Sequence, residues 1–546
     1  MSTAAPAGTR RTELRHSARS GAIGLAGAAV SGLFGFLLAV VITRGYGATG
    51  AGGLFAAIGV LTVATAICCL GADTALIWAL PRRRLGPGGD GARLLPVALL
   101  PPLTVAVLVA LAGMVTARLV APHLLAEAGR DGARLLAVTF AAVPMTVAMT
   151  VLLSAVRASR PIGAYVGIQF LLLPIGRPVL VALAAVLGGG LVAGLLAWWA
   201  PVLAAVFGCV LLAWRPLGVG AAALRASADD WRTFWGFALP RALSAAIDSG
   251  SMWIGVLLTA ALAGQRDAGI FGGVGRYVLA GQLAMQGLRV AVAPQLARLL
   301  GADRRDDALA VHRQTTVWVV LLSWPVYLLL AAFAPAFLAL FGREFSDGAA
   351  ALAVLAAAML VNVGLGNVQT LLLMSGRSGR HLLAATLGLA TTLLLGLLLI
   401  PPLGVLGTAL GWAAGIVVEN VVAATAASAV LGRSVLGRSV LATAGGTLAV
   451  VGAAAAAGMA LTGGLSGGRG PAGLAVALGL LAVGAAAALT RPAVRSRLTT
   501  AVRTLRGAGP GTGADADAGT DLGTGTDGTD AGSRRYEDDE DKERRP

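Results

Sequence analysis

The chain has 546 residues, 57% hydrophobic and 12% charged, with a mean hydropathy of +0.81. A soluble globular protein carries roughly 25% charged residues, so that class is excluded, and apolar runs long enough to cross a bilayer as helices recur from residue 20 to residue 490. The net charge of +16 comes from 42 basic residues, all arginine except Lys542; they sit in short segments between the apolar runs, where they set membrane orientation and give no reason to expect nucleic acid as a partner.

In chain order, residues 1–19 are polar and carry Arg10, Arg11, Arg15 and Arg19. The run that follows, 20–43, is too long for a signal-peptide core and has no convincing cleavage site, so an uncleaved cytoplasmic N-terminal segment is expected. Apolarity and punctuation then predict spans at 20–43, 50–79, 94–116, 135–156, 161–187, 190–214, 234–262, 268–297, 314–338, 349–374, 381–400, 403–430, 440–462 and 470–490. The fold class is therefore an all-α integral membrane protein with about 14 transmembrane helices. An even number puts both termini on one side. The loop "PRRRLGPGGDGAR" (81–93) is arginine-rich whereas "PPLG" (401–404) has none, and this alternation predicts that both termini are cytoplasmic. The Gly-, Ala- and Arg-rich composition suggests a GC-rich bacterial genome, which makes the bacterial cytoplasmic membrane the expected location. A cysteine placed at Gly88 should react with reagent supplied from the cytoplasm and one at Arg130 with reagent supplied outside; the opposite labelling would invert the topology. Beyond residue 490, "RPAVRSRLTTAVRTLRG" reads as a basic amphipathic stretch for an anionic lipid leaflet. The remaining tail, with "TGADADAGTDLGTGTDGTD" and "YEDDEDKERRP", is low-complexity and acidic, the composition of disorder.

Three short similarities recur in order. "GGLF" (52–55) matches "AGIF" (268–271) at an offset of 216, "LLSAVRASR" (152–160) matches "LLMSGRSGR" (372–380) at 220, and "GLVAGLLAW" (190–198) matches "GTALGW" (407–412) at 217. A repeat of six helices preserves orientation, so its copies are related by an axis along the membrane normal. The expected organisation is an N-lobe at 20–214, a cytoplasmic linker at 215–233, a C-lobe at 234–432, two appended helices at 440–490 and a tail at 491–546. Two pseudo-symmetric six-helix bundles around a cleft suit alternating access.

Charges that fall within spans are Asp73, Arg177, Arg241, Asp248, Arg276, Arg289 and Glu419. Each costs roughly 2.5–3.5 kcal/mol at mid-helix, so they should face the protein interior or a watery cavity. Arg241 and Asp248 are seven residues apart, nearly two turns, and share a helix face. Two readings fit that pair: mutual satisfaction that fixes packing, or a cationic cavity with a switchable carboxylate. On the second, Arg177, Arg241, Arg276 and Arg289 bind an anionic cargo, and Asp248, Glu419 and Asp73 carry coupling to a proton or sodium ion. Arg44 and Asp73 lie near span ends, where they can also reach the interface. Cys68, Cys69 and Cys209 lie inside spans without metal-type spacing, and His16, His123, His312 and His381 fall in tails or loops without clustering. No metal or cofactor is expected. P-loop, HExxH and GxSxG signatures are absent, "GGVGRY" (272–277) lies in an apolar helix, and the longest predicted outside loop, "ARLVAPHLLAEAGRDGA" (117–133), lacks paired carboxylates. No enzymatic activity is expected.

The opening "FGFLLAVVITRGYGATGAGGLFAAIGVLTVATAICCLGADTALIWALPR", with an R-x-x-G turn and G-x-F at the next helix, resembles the polysaccharide-transporter and oligosaccharide-flippase branch of the multidrug/oligosaccharidyl-lipid/polysaccharide (MOP) exporter superfamily. So do "FWGFALPRALSAAID", "AGIFGGVGRYVLAGQLAMQGLRVAVAPQLARL", "LFGREFSDGAAALAVLAAAMLVN" and "LLLIPPLGVLGTALGWAAGIVVEN", in order and spacing over residues 20–432. The resemblance implies flipping or export of a lipid-linked oligosaccharide whose pyrophosphate suits arginines, with membrane lipids and polysaccharide-assembly proteins as further partners. Lipid II flippases of the superfamily carry an RxxGxxRD-like segment in helix 1; "AVSGLFGFLLAVVITRG" lacks it, which counts against a peptidoglycan precursor. A cation-coupled drug antiporter of the same superfamily is the other expectation, although only Asp73 supplies an acid in the N-lobe. A major-facilitator transporter would show G-x-x-x-D-R where "PRRRLGPGG" stands, and a non-transporting scaffold would leave the buried charges unexplained.

Overall fold

The computed structural model describes residues 7–83, 91–217, 226–462 and 469–490; within these, the side chains of 7–25, 130, 214–217, 243–249, 251–252, 280, 283–284, 290–291 and 487–489 are left undescribed. The described residues up to 481 form one compact unit. Among the described residues every regular element is helical.

The predicted spans recur in order as helices or broken helices. They are α1 (Ala7–Cys68), α2 (Ala72–Ala79), α3 (Leu94–Leu124), α4 (Gly129–Ala141), α5 (Val143–Ser159), α6 (Ile162–Val166), α7 (Leu173–Val186), α8 (Leu191–Trp199), α9 (Pro201–Leu217) and α10 (Ala228–Leu262). There follow α11 (Gln265–Gly281), α12 (Leu283–Gly301), α13 (Arg305–Ala332), α14 (Ala334–Leu338), α15 (Ala349–Leu365), α16 (Val368–Met374), α17 (Ser378–Leu403), α18 (Val405–Leu431), α19 (Arg438–Thr462) and α20 (Gly470–Leu489). Ten of the described helical stretches are long and apolar enough to cross a membrane. Breaks follow the residues that cannot continue a helix. Gly47 has φ 67°, a left-handed conformation open to glycine, and there the first two predicted spans meet without an intervening loop. Pro144, Pro201 and Pro335 each open a new helix within its first turn, where their missing N–H has no intrahelical acceptor to lose.

Three expectations change. The polar N-terminus is helical from Ala7 onward, since four arginines do not by themselves oppose helix formation. The 117–133 loop is shorter than expected because α3 runs through Pro122 to Leu124. His312, expected in a loop, is 2% exposed within α13, which starts nine residues before the predicted span at 314; its polar first turns mislead a hydropathy reading.

One apolar cluster holds Leu54 and Phe55 of the first half together with Ile270, Phe271, Phe341 and Phe345 of the second. The closest backbone approach lies beside it. A Cβ on Gly52 would stand 1.7 Å from the carbonyl oxygen of Gln265, and one on Gly269 would stand 2.0 Å from that of Ala48. The two contacts are reciprocal: adding 217 to one member and subtracting 217 from the other converts the first pair into the second. Reciprocity of this kind is what a two-fold axis between copies produces, and the shift agrees with the sequence repeats. At the same end, Arg44 donates from Nε to Leu340 O at 2.8 Å and from a terminal nitrogen to Ala339 O at 2.9 Å, while Glu344 accepts from the Ala48 N–H at 3.2 Å. Arg44, which the sequence left free to reach the interface, thus caps carbonyls after α14.

The opposite end has a different fastening. Arg83 lies 2.7 Å from Asp230, which also forms a capping box with Ser227 at the start of α10, and Trp78 stacks on Phe237 at 4.5 Å. Burial pushes the Asp230 carboxyl up, but the Ser227 hydrogen bonds and the Arg83 charge outweigh it, and its pKa lies below the ordinary carboxylate value. A carboxylate with a lowered native pKa contributes stability above its unfolded pKa and loses it as pH falls through the native one. The fastening should therefore persist across the neutral range and fail only in strong acid. Asp230→Asn is expected to lower the melting temperature at pH 7 and to narrow the gap to wild type as pH drops below 4; a pH-independent deficit would contradict it.

Candidate functional site

Two polar cavities lie within the helical bundle. The larger, about 440 Å³, is walled by α1, α2, α5, α7 and α8 from the first half and by Trp253 of α10 and Arg276 of α11 from the second. Arg177 projects from α7, where it follows a π-helical stretch, Gly167–Leu172, a geometry that often marks functional positions. Its guanidinium carbon lies 4.1 Å from the centre of the Trp198 ring. The guanidinium of Arg276 stands 5.6 Å from Phe55 and 5.8 Å from Trp253. Both Nε atoms are buried without a hydrogen-bond partner among the described residues, and no ion pair joins either arginine to a described carboxylate. Aromatic faces orient the two cations, which leaves their N–H forks available.

Asp73 lines the same cavity from the first turn of α2, just after the left-handed Gly71 at φ 75°. It faces two arginines, so the wall carries an excess of positive charge. The remaining polar groups are mild: Thr62 and Thr150 donate to their own helix carbonyls at 2.7 and 2.9 Å, and the Thr65 hydroxyl is buried without a partner.

The smaller cavity, about 210 Å³, belongs entirely to the second half and is walled by α12, α15, α16, α18 and the Gln282 joint. Arg289 and Glu419 lie here. Gln369 donates to Glu419 Oε1 at 2.6 Å. The arginines that the sequence grouped are thus divided: Arg177 and Arg276 with Asp73 in one cavity, Arg289 with Glu419 in the other.

Arg241 lines neither cavity and is exposed on α10. It stands 14 residues into α10, just after the apolar stretch Phe234–Leu239 and Pro240, in a helix of 35 residues that rises about 52 Å. Asp248 lies in α10 but among the side chains left undescribed. Amides were missed altogether: Gln282, Asn362, Asn367 and Asn420 all line the smaller cavity, and "NVGLGNVQT" (362–370) and "VEN" (418–420) within apolar runs were the available signal.

Neither a family model nor a curated protein sequence matches the chain. Its structure is similar to that of the lipid II flippase MurJ in an inward closed conformation, with a TM-score of 0.64 at 10% identity over 84% of this chain and 97% of that one. An inward-facing multidrug resistance MATE family transporter of the MOP superfamily matches with a TM-score of 0.56 at 15% identity, over 73% and 95%. A MOP superfamily transporter from Pyrococcus furiosus, described by the reverse polarity of its binding pocket, matches with a TM-score of 0.51 at 14% identity, over 77% and 96%. With its cavities, its broken helices and the reciprocal contact between its halves, the chain shares the all-α fold of these solved structures.

Proposed function

We propose that the protein carries a lipid-linked, phosphate-bearing glycan across the bacterial cytoplasmic membrane by alternating access. The observation that supports this reading is the pair Arg177 and Arg276, two cations in one cavity held by aromatic rings with buried, unpartnered Nε atoms. A cation in a bundle core is costly unless something compensates it, and a planar fork binds the oxygens of a phosphate in pairs. The lobes at 20–214 and 234–432 rock about the reciprocal glycine contact at one end and the Arg83–Asp230 pair at the other. Asp73 shares the cavity with the arginines and is the residue through which a proton or sodium ion couples; in the second half Glu419, which accepts from Gln369, and Asp248 are the further carboxylates of the coupling set. Export of labelled lipid-linked sugar by Arg177→Ala and Arg276→Ala variants at matched membrane levels tests the reading. Asp73 supports a second reading, a cation-coupled antiporter of cationic small molecules. On that reading Asp73→Asn abolishes transport and the arginine variants do not.

A further inference from the structure

The smaller cavity has the chemistry of a carbohydrate site. Its wall presents Gln282, Asn362, Asn367 and Asn420, and the ring of Trp412 closes one side. Primary amides each offer a donor pair and an acceptor, which matches hydroxyls that must donate and accept at once. These amides are not consumed by the fold. Asn367 Nδ2 is buried without a partner, and Gln282 and Asn362 donate only to the weak acceptor Met359 Sδ, at 3.8 and 3.7 Å. Asn420 donates to Ile416 O at 2.8 Å, which leaves its side-chain oxygen over. A buried amide without a partner is disfavoured unless a ligand or water completes it.

A second, independent feature is the backbone. Two helical runs break at this cavity: α11 gives way to α12 at Gln282, and α15 to α16 across Gly366, at φ 71° and ψ −158°, and Asn367. The backbone at these joints stays bonded locally, Gln282 N–H to Leu279 O at 3.1 Å, Gly366 N–H to Val363 O at 3.0 Å and Val368 N–H to Gly366 O at 2.9 Å. The breaks therefore act by turning Gln282 and Asn367 to the wall; irregular backbone at membrane depth is tolerated where it lines a cavity.

We infer that this cavity binds one neutral pyranose of the cargo, its hydroxyls held by the side-chain amides and its C–H face against Trp412. The wall carries one cation, Arg289, and one carboxylate, Glu419, so its formal charge is balanced and does not select an ion. The inference rests on the phosphate reading of the larger cavity. Arg276 lines the larger cavity, and Gln282, six residues further along the chain, lines the smaller one.

The test uses the full-length protein in lipid nanodiscs and two probes, a bare polyprenyl diphosphate and the same lipid carrying a single hexose. Wild type should bind the sugar-bearing lipid about tenfold or more tightly than the bare one, the equivalent of two or three additional hydrogen bonds. Gln282→Met and, separately, Asn367→Leu should collapse that preference toward unity; two variants at different joints keep the test decisive if one fails to elute as a monodisperse protein. Arg276→Ala should weaken both lipids by the same factor. A wild-type preference near unity, or one that survives both amide variants, overturns the sugar site and leaves the phosphate reading intact. Weak binding of both lipids, unaffected by Arg276→Ala, overturns the phosphate reading and the sugar site with it.

Discussion

Arg276→Ala is expected to abolish export of the lipid-linked cargo while the variant inserts and folds as well as wild type. A charge-assisted hydrogen bond contributes roughly 1.5–3 kcal/mol, so loss of even one contact to a phosphate lowers affinity about ten- to hundredfold. Stability should move little or rise. Removal of one member of a buried ion pair strands its partner, but Arg276 has no carboxylate partner among the described residues, only Phe55 and Trp253. Arg276→Lys should retain part of the activity, because it keeps the charge and loses the fork. Arg241→Ala is the comparison, since Arg241 is exposed on α10 and lines neither cavity, and should keep most export. Normal transport by Arg276→Ala sinks the proposal, and so does a loss of transport that tracks a fall in melting temperature.

The fold was legible because bilayer thickness writes itself into sequence. Runs of about 20 apolar residues have no other economical structure. The joint at Gly47 falls between two predicted spans, whereas the breaks at Pro144, Pro201 and Pro335 fall inside spans predicted as continuous. The offset of the repeats was readable too, since close helix crossing admits only glycine at Gly52 and Gly269. What misled was helix length. Apolarity reports the buried part of a helix, so α10 and α13 extend beyond their predicted starts through polar turns, and for α13 this brought His312 into a buried helical position. The division of the arginines between two cavities was not legible, because it depends on which helices become neighbours. Nor was the amide-lined cavity: formal charge is conspicuous in an apolar run, whereas Asn and Gln are not, although their unpaired groups carry the same kind of penalty.

The second large effect belongs to the crossing of the two halves. Gly52→Val is expected to block closure at that end, with loss of export and a destabilisation of about 1–3 kcal/mol or more. The new Cβ would stand 1.7 Å from the Gln265 carbonyl oxygen. That obstacle is backbone, which cannot turn aside as a side chain can, so the halves must separate. With the native cysteines replaced by alanine, a reporter cysteine at Thr62, on the wall of the larger cavity, should react several-fold faster with a membrane-impermeant maleimide added on the Gly47 side. Reciprocity sharpens the expectation. Gly269→Ala should give the same phenotype, since its Cβ would meet Ala48 O at 2.0 Å, whereas Gly53→Ala next door meets Leu191 at an ordinary 3.4 Å and should be mild. If Gly52 and Gly269 variants differ from one another, or if the Gly53 variant is as severe, the contact is local packing and the halves do not turn about it.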